Sequence, residues 1–426
     1  MAPRPRGTVP ASGAVTSTSS ALIWPIPLPL WAPTTTTARR TAQPPARIAS
    51  CTGGRRRRSV HIPPIGRRCR LPAGNLDAMA RSPRPLPASL GDVFSVAQAR
   101  EAGVSNARLR HRDLLRPFRA ARMCALPPEP DDDAHDDVSP VAREAKRLRA
   151  EISRRARALA AIAPEEWFFS HITAAVLWQL PLPIRVLRLA VDGNPRSGEQ
   201  PRGIDIAVLG ADRAPRGAGM CGHQLRPVLT AVRVRDGLRV ASPATTWAQL
   251  APLLSVDELI ELGDAIVHIP RRRGMQRGTS EDALGTLAQL ESAMTAGRRA
   301  GIATLREAFP QIRVGSASPG ETRVRLSIVR SGLPDPELDI DVFAADGSAI
   351  GYTELGYSRW RVLIEFEGDH HRRDRAQWAR DIDKHADCVA AGFDVVRLTA
   401  AHAYPSTAPA VQRVRAALLR AGWRPE

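Results

Sequence analysis

Apolar and polar positions alternate most regularly near the C-terminal end, in the run RVLIEFEG (361–368). Val362, Ile364 and Phe366 fall on one face, and Arg361, Leu363, Glu365 and Glu367 on the other, which is the period of a β-strand. Two strands precede it, LDIDVF (338–343) and IGYTELGY (350–357), joined by AADGS, whose Asp-Gly pair signals a hairpin. A helix follows over DRAQWARDIDKHADCVAAG, with Trp378, Ile382, His385 and Val389 as its apolar stripe and Gly392 as its stop. Then come the strand DVVRLTA (394–400) and a last helix over about 407–421. Ahead of the strands, Ser318 and Pro319 open a helix with Val324, Leu326 and Ile328 turned inward and Glu321 in its first turn.

Three further blocks lie upstream. Residues 86–126 have a helix-turn-helix pattern: Ser95 caps SVAQAREAG, Gly103 stops it, and Ser105 caps a second helix, NARLRHRDLL, with Leu109 and Leu114 as apolar positions. RPFRAARMCAL then has the look of a hairpin or wing, and the acidic, proline-rich PPEPDDDAHDD (127–137) is a connector. A second domain over 140–275 opens with an arginine-rich helix and continues with the helix ITAAVLWQL, capped by Ser170 and ended by Pro181. Strand-like runs follow at IRVLRLAV (184–191), IDIAVL (204–209) and LTAVRVRDGLRVAS (229–242), after which Ser242 and Pro243 open another helix. A linking helix over 280–301 starts at Ser280 with Glu281 and Asp282 and ends at GRRAG. The predicted class is α/β (α+β overall): an N-terminal winged helix-turn-helix, a middle α+β domain, and a C-terminal mixed sheet flanked by helices over 310–426.

Composition changes this picture little. The 426 residues carry a net charge of +18, but residues 1–78 hold 12 arginines against one acid, Asp77, leaving only +7 for the rest. The chain contains just two lysines, Lys146 and Lys384, a skew that GC-rich coding imposes under any function, so charge argues only weakly for a polyanionic partner. Residues 1–78 lack periodicity and read as a disordered or mis-assigned extension, with Met79 as the expected true start. Arg4 and Arg6 before the apolar stretch Ala21–Ala32 would suit a secretion signal, but Pro25, Pro27 and Pro29 break it and it is too short to span a bilayer. The five cysteines show no metal-ligand spacing and read as free thiols of a cytoplasmic protein. His171, at a helix start without an acidic or Cys partner in register, reads as structural.

The chemistry concentrates on the alternating strand. Its spacing sets the Cβ atoms of Glu365 and Glu367 roughly 7 Å apart on one face, and a turn through SRW brings Glu354 alongside. Gathered carboxylates repel unless a cation sits between them, and a hard divalent ion such as Mg²⁺ suits phosphodiester hydrolysis. His371, just beyond, is placed to carry a proton near neutral pH.

In SPGETRVR, IEFEGDHH, RDRAQWARDI and AAGFDVVRLTA the chain resembles the very-short-patch-repair-like endonucleases of the restriction-enzyme-like PD-(D/E)XK superfamily. The resemblance covers about 110 residues. It implies Mg²⁺- or Mn²⁺-dependent DNA cleavage, with Glu321 matching the helix acid, Glu354 the strand Asp, Glu365 the central Glu, Glu367 the carboxylate two residues on, and His371 the following His. Glu354, Glu365 and Glu367 would hold the metal. The family usually has Asp where this chain has Glu354 and Glu367, which lengthens each arm by roughly 1.3–1.5 Å. The N-terminal blocks resemble abortive-infection-type (AbiEi-like) antitoxins with a winged helix-turn-helix. That likeness implies DNA contacts from Asn106, Arg108, Arg110, His111 and Arg112. Expected partners are DNA and a cognate toxin or repair protein, with no membrane, in DNA repair or phage defence. The alternative is a non-catalytic, antitoxin-like repressor with a degenerate nuclease fold, and a protein-interaction module in phage defence is a third reading.

Overall fold

A computed structural model of the chain describes residues 83–125, 139–193, 200–272, 275–367 and 375–425. The N-terminal extension and Met79 therefore lie outside the described residues. Among those described, no helix is long and apolar enough to cross a membrane.

The first block is a three-stranded antiparallel sheet in the order β1-β3-β2, from β1 (Val93–Ser95), β2 (Leu114–Leu115) and β3 (Ala121–Cys124), with helix α1 (Val96–Glu101) inserted after β1. The Ser95 hydroxyl accepts from the Gln98 amide at 3.0 Å and the Gln98 side chain accepts from the Ser95 amide at 2.8 Å, so α1 starts where its cap residue predicts. The expected second helix over 106–115 does not form. The chain makes one 3₁₀ turn, Arg108–Arg110, and passes into β2. Only Leu109 and Leu114 are buried there, too few for an amphipathic stripe, and Asp113 draws the Arg108 guanidinium and the His111 ring into a local clasp.

The middle block places α2 (Pro140–Ala160), α3 (His171–Leu177), α4 (Ile184–Val191), α5 (Pro243–Leu250) and α6 (Val256–Val267) around a five-stranded sheet. The strand order is β6-β5-β4-β8-β7, from β4 (Phe168–Phe169), β5 (Ile204–Leu209), β6 (Met220–Leu225), β7 (Val232–Arg235) and β8 (Leu238–Ala241). Asp236 and Gly237 both take positive φ, 49° and 77°, closing the β7–β8 hairpin in the twist such two-residue turns require. Residues 184–191, expected as a strand, form α4: Ile184, Leu187 and Ala190 are buried three apart, a helical period that the β-branched residues disguise. The linking helix also starts later than expected. Thr286 caps α7 (Leu287–Thr295) with Gln289, while Thr279 and Asp282 close only a turn, and α8 (Ile302–Ala308) follows.

The C-terminal block runs α9 (Pro319–Arg330), β9 (Glu337–Phe343), β10 (Ala349–Tyr357), β11 (Val362–Glu367), α10 (Arg375–Ala390), β12 (Asp394–Thr399), α11 (Ala400–Ala403) and α12 (Ala408–Arg420). Its sheet has the order β12-β11-β10-β9, antiparallel except for the parallel β11–β12 pair that α10 connects. Central β11 is covered on both faces. Val362 and Ile364 join Val324, Ile328, Val414 and Leu418 on one side, and Leu363 meets Val342 and Cys388 on the other. Phe118 and Ala121 of the first block and Leu326 of α9 belong to the middle block's hydrophobic core, so the three blocks share buried surface.

Candidate functional site

The site forms where α9 begins and β10 and β11 run side by side. Leu355 pairs with Ile364, so the antiparallel register carried one step further sets Glu354 opposite Glu365. The buried Thr353 hydroxyl donates to the Ile364 carbonyl at 3.1 Å and pins the two strands at that level. The start of α9 approaches β11 closely because residue 320 is glycine: a Cβ there would lie 2.4 Å from the Phe366 ring. Gly320→Ala is expected to lose about 1–3 kcal/mol of stability, read from a denaturant midpoint; an unchanged midpoint would show that the helix start can move away freely.

Glu321 braces this helix start, accepting from the Ala317 amide at 2.8 Å and from the Ser318 hydroxyl at 2.7 Å. It is buried, and burial raises its pKa from 4.5 to about 7 against those hydrogen bonds. Burial, followed by the Glu321 charge, pushes Glu354 higher still, to about 8. Although Glu354 as a residue is half-buried, its Oε2 touches neither solvent nor a hydrogen-bonding partner. Glu365 carries the neutralising contact: Lys384 Nζ on α10 lies 2.5 Å from its Oε1. Burial alone would lower the Lys384 pKa, but the Glu365 charge and hydrogen bond outweigh it and lift the value.

Three of the expected residues, Glu321, Glu354 and Glu365, thus converge. Glu367 closes β11 beside Thr399; its side chain and all of His371 lie outside the described residues. Asp339 and Asp341 on β9 are already neutralised. Arg271, nearly buried, donates to both, at 2.6 Å to Asp341, while lying 4.3 Å over the Tyr352 ring. The expected apolar stripe of α10 is wrongly phased: Ile382 and Val389 are exposed, and Lys384 and Cys388 face the sheet. The sheet end there is acidic, so the helix turns its lysine inward rather than its aliphatic residues. Sequence reasoning missed Lys384. Its one signal was rarity, since the other lysine, Lys146, is exposed on α2.

All-oxygen donors, an orphaned buried carboxylate oxygen and two mutually repelling acids are the chemistry that suits a hard divalent cation such as Mg²⁺ or Mn²⁺, although among the described residues the three carboxylates are not drawn within 4.8 Å of one another, so a cation would have to pull them closer. Without metal, folding favours protonated Glu321 and Glu354. Their benefit is full below 4.5 and is lost as pH rises through about 7 and about 8. The metal-free chain is therefore expected to lose stability as pH rises from about 4.5 to about 8, and Glu354→Gln to flatten that slope; chemical denaturation across this range decides, a flat wild-type profile counting against it.

In the N-terminal block the five proposed DNA-contacting residues divide. Arg108 donates twice to Asp113, both at 2.8 Å, and His111 lies 2.7 Å from the same carboxylate, whereas Asn106, Arg110 and Arg112 are exposed. None of the protein-family models, curated proteins or solved structures compared with this chain matches it, so its reading rests on this geometry.

Proposed function

We propose that the C-terminal domain is a Mg²⁺- or Mn²⁺-dependent DNA endonuclease, held on duplex DNA by the N-terminal block acting as a winged module. The observation that carries this reading is the facing pair Glu354 and Glu365, with Glu321 and Lys384 beside them and one carboxylate oxygen left without a partner. Glu354 and Glu365, with Glu367, would hold the metal. When bound, the ion supplies an activated water and stabilises charge on the scissile phosphate. Lys384 orients the Glu365 carboxylate and sets a fixed positive charge where negative charge develops on the phosphate. The buried Glu321 keeps the helix start against Glu354. His371 is assigned the proton transfer at the leaving oxygen. Exposed Arg110 and Arg112 contact phosphates and fix the protein's position on the duplex. Such an activity serves DNA repair or phage defence in the cytoplasm, alongside a repair partner or a cognate toxin.

One observation favours a second reading. The Lys384–Glu365 ion pair already neutralises a carboxylate without metal, as expected of a repressor whose nuclease fold is degenerate. Incubation of supercoiled plasmid with the purified chain in Mg²⁺ or Mn²⁺ separates the two. Nicking that depends on the metal supports the enzyme; salt-sensitive DNA binding without nicking supports the repressor.

A further inference from the structure

A separate polar cluster lies at the edge of the middle sheet. Asp205 on β5 has no solvent exposure. Its Oδ2 accepts from the Ile172 amide at 3.2 Å, capping α3 in place of Ser170, whose hydroxyl makes no cap and lies 3.0 Å from His171 Nδ1 instead. Its Oδ1 lies 2.9 Å from Nε2 of His223 on the edge strand β6. Cys221 pairs with Asp205 across the strands. His171, the first residue of α3, completes the group: its ring stacks on His223 with centroids 4.0 Å apart. Nothing near His171 in the chain marks these partners, because they come from two strands well downstream.

We infer that His171, Asp205 and His223 form a second metal site, for zinc or a similar late first-row divalent ion, that ties the start of α3 to the sheet edge. One donor atom from each residue lies within 4.8 Å of the other two. Ligand atoms on a tetrahedral ion with bonds of about 2.0–2.1 Å stand about 3.3 Å apart, so small side-chain shifts close the site. Two imidazoles and one carboxylate suit such an ion better than Mg²⁺, which prefers oxygen donors. His171 holds a left-handed backbone, φ 46°, with its amide donating to Gln249 at 3.0 Å. Non-glycine residues rarely adopt that region, and such strain collects at functional positions. His223 is partly open to solvent, 17% by its side chain, which gives an ion a route in.

The test is calorimetric titration of the full chain with Zn²⁺ in excess Mg²⁺, which occupies the carboxylates of the C-terminal site. One equivalent of zinc is expected at this cluster. His171→Ala and His223→Gln, the latter retaining a donor to Asp205, should each weaken uptake at least about tenfold while far-ultraviolet circular dichroism stays unchanged. Co²⁺ in place of zinc should give the intense visible bands of a tetrahedral ion, and lose them in both variants. Zinc uptake that is absent, or equal in wild type and both variants, would overturn the site without touching the nuclease proposal. Loss of plasmid nicking with zinc uptake intact would do the reverse.

Discussion

Glu365→Ala is expected to lower plasmid cleavage on the order of 10³-fold, the scale on which removing a single preorganised electrostatic group acts. Glu365 sits on the central strand opposite Glu354. Alanine would also leave Lys384, largely buried, without its closest partner, so part of any loss would be structural. Glu365→Gln separates the contributions: its amide oxygen still accepts from Lys384, but it is a poor ligand for a hard cation. Both variants should lose cleavage, and only the alanine form should melt earlier. Cleavage by Glu365→Gln within tenfold of wild type would remove this residue from the metal.

Asp264→Ala is the substitution expected to damage folding most. Asp264, on α6, is 1% exposed and accepts from Arg325 at 2.9 Å, the Thr322 hydroxyl at 2.7 Å and the Arg313 amide at 2.7 Å. Arg325 is itself 3% exposed. Removing the carboxylate strands a buried guanidinium, which costs about 3–5 kcal/mol and on the order of 10 °C in melting temperature. Asp264→Leu combined with Arg325→Met removes both charges and should recover much of that loss. A fall below about 1 kcal/mol for the alanine variant, measured by chemical denaturation, would mean that water or a neighbour takes over the pairing.

The C-terminal sheet was legible because its signals are local. Alternation in 361–367, the Asp-Gly turn at 346–347 and the serine cap at 318 each reflect neighbours a few residues apart. Elements that depend on distant partners were not. Residues 184–191 look like a strand by composition, and only packing against α2 shows the helical phase. The phase of α10 was misjudged because an apolar stripe usually faces inward, whereas here the acidic strand end selects Lys384. The same limit applied to the carboxylates: their meeting was readable across one tight turn, while the lysine that balances them arrives after a crossover. His171 seemed unpartnered because Asp205 and His223 reach it only once β5 and β6 pair.

The contacts between blocks have a consequence for how the protein would act along a duplex. Arg154 of α2 donates to the Cys124 carbonyl, Arg271 clasps two aspartates of β9, and Asp264 holds α9. Phe118 of the N-terminal block and Leu326 of α9 share the middle block's core, so both outer blocks are packed against it. On the proposed endonuclease reading, such packing would measure distance: each cut would fall a constant number of base pairs from the bound segment, as a ruler rather than a tether would place it.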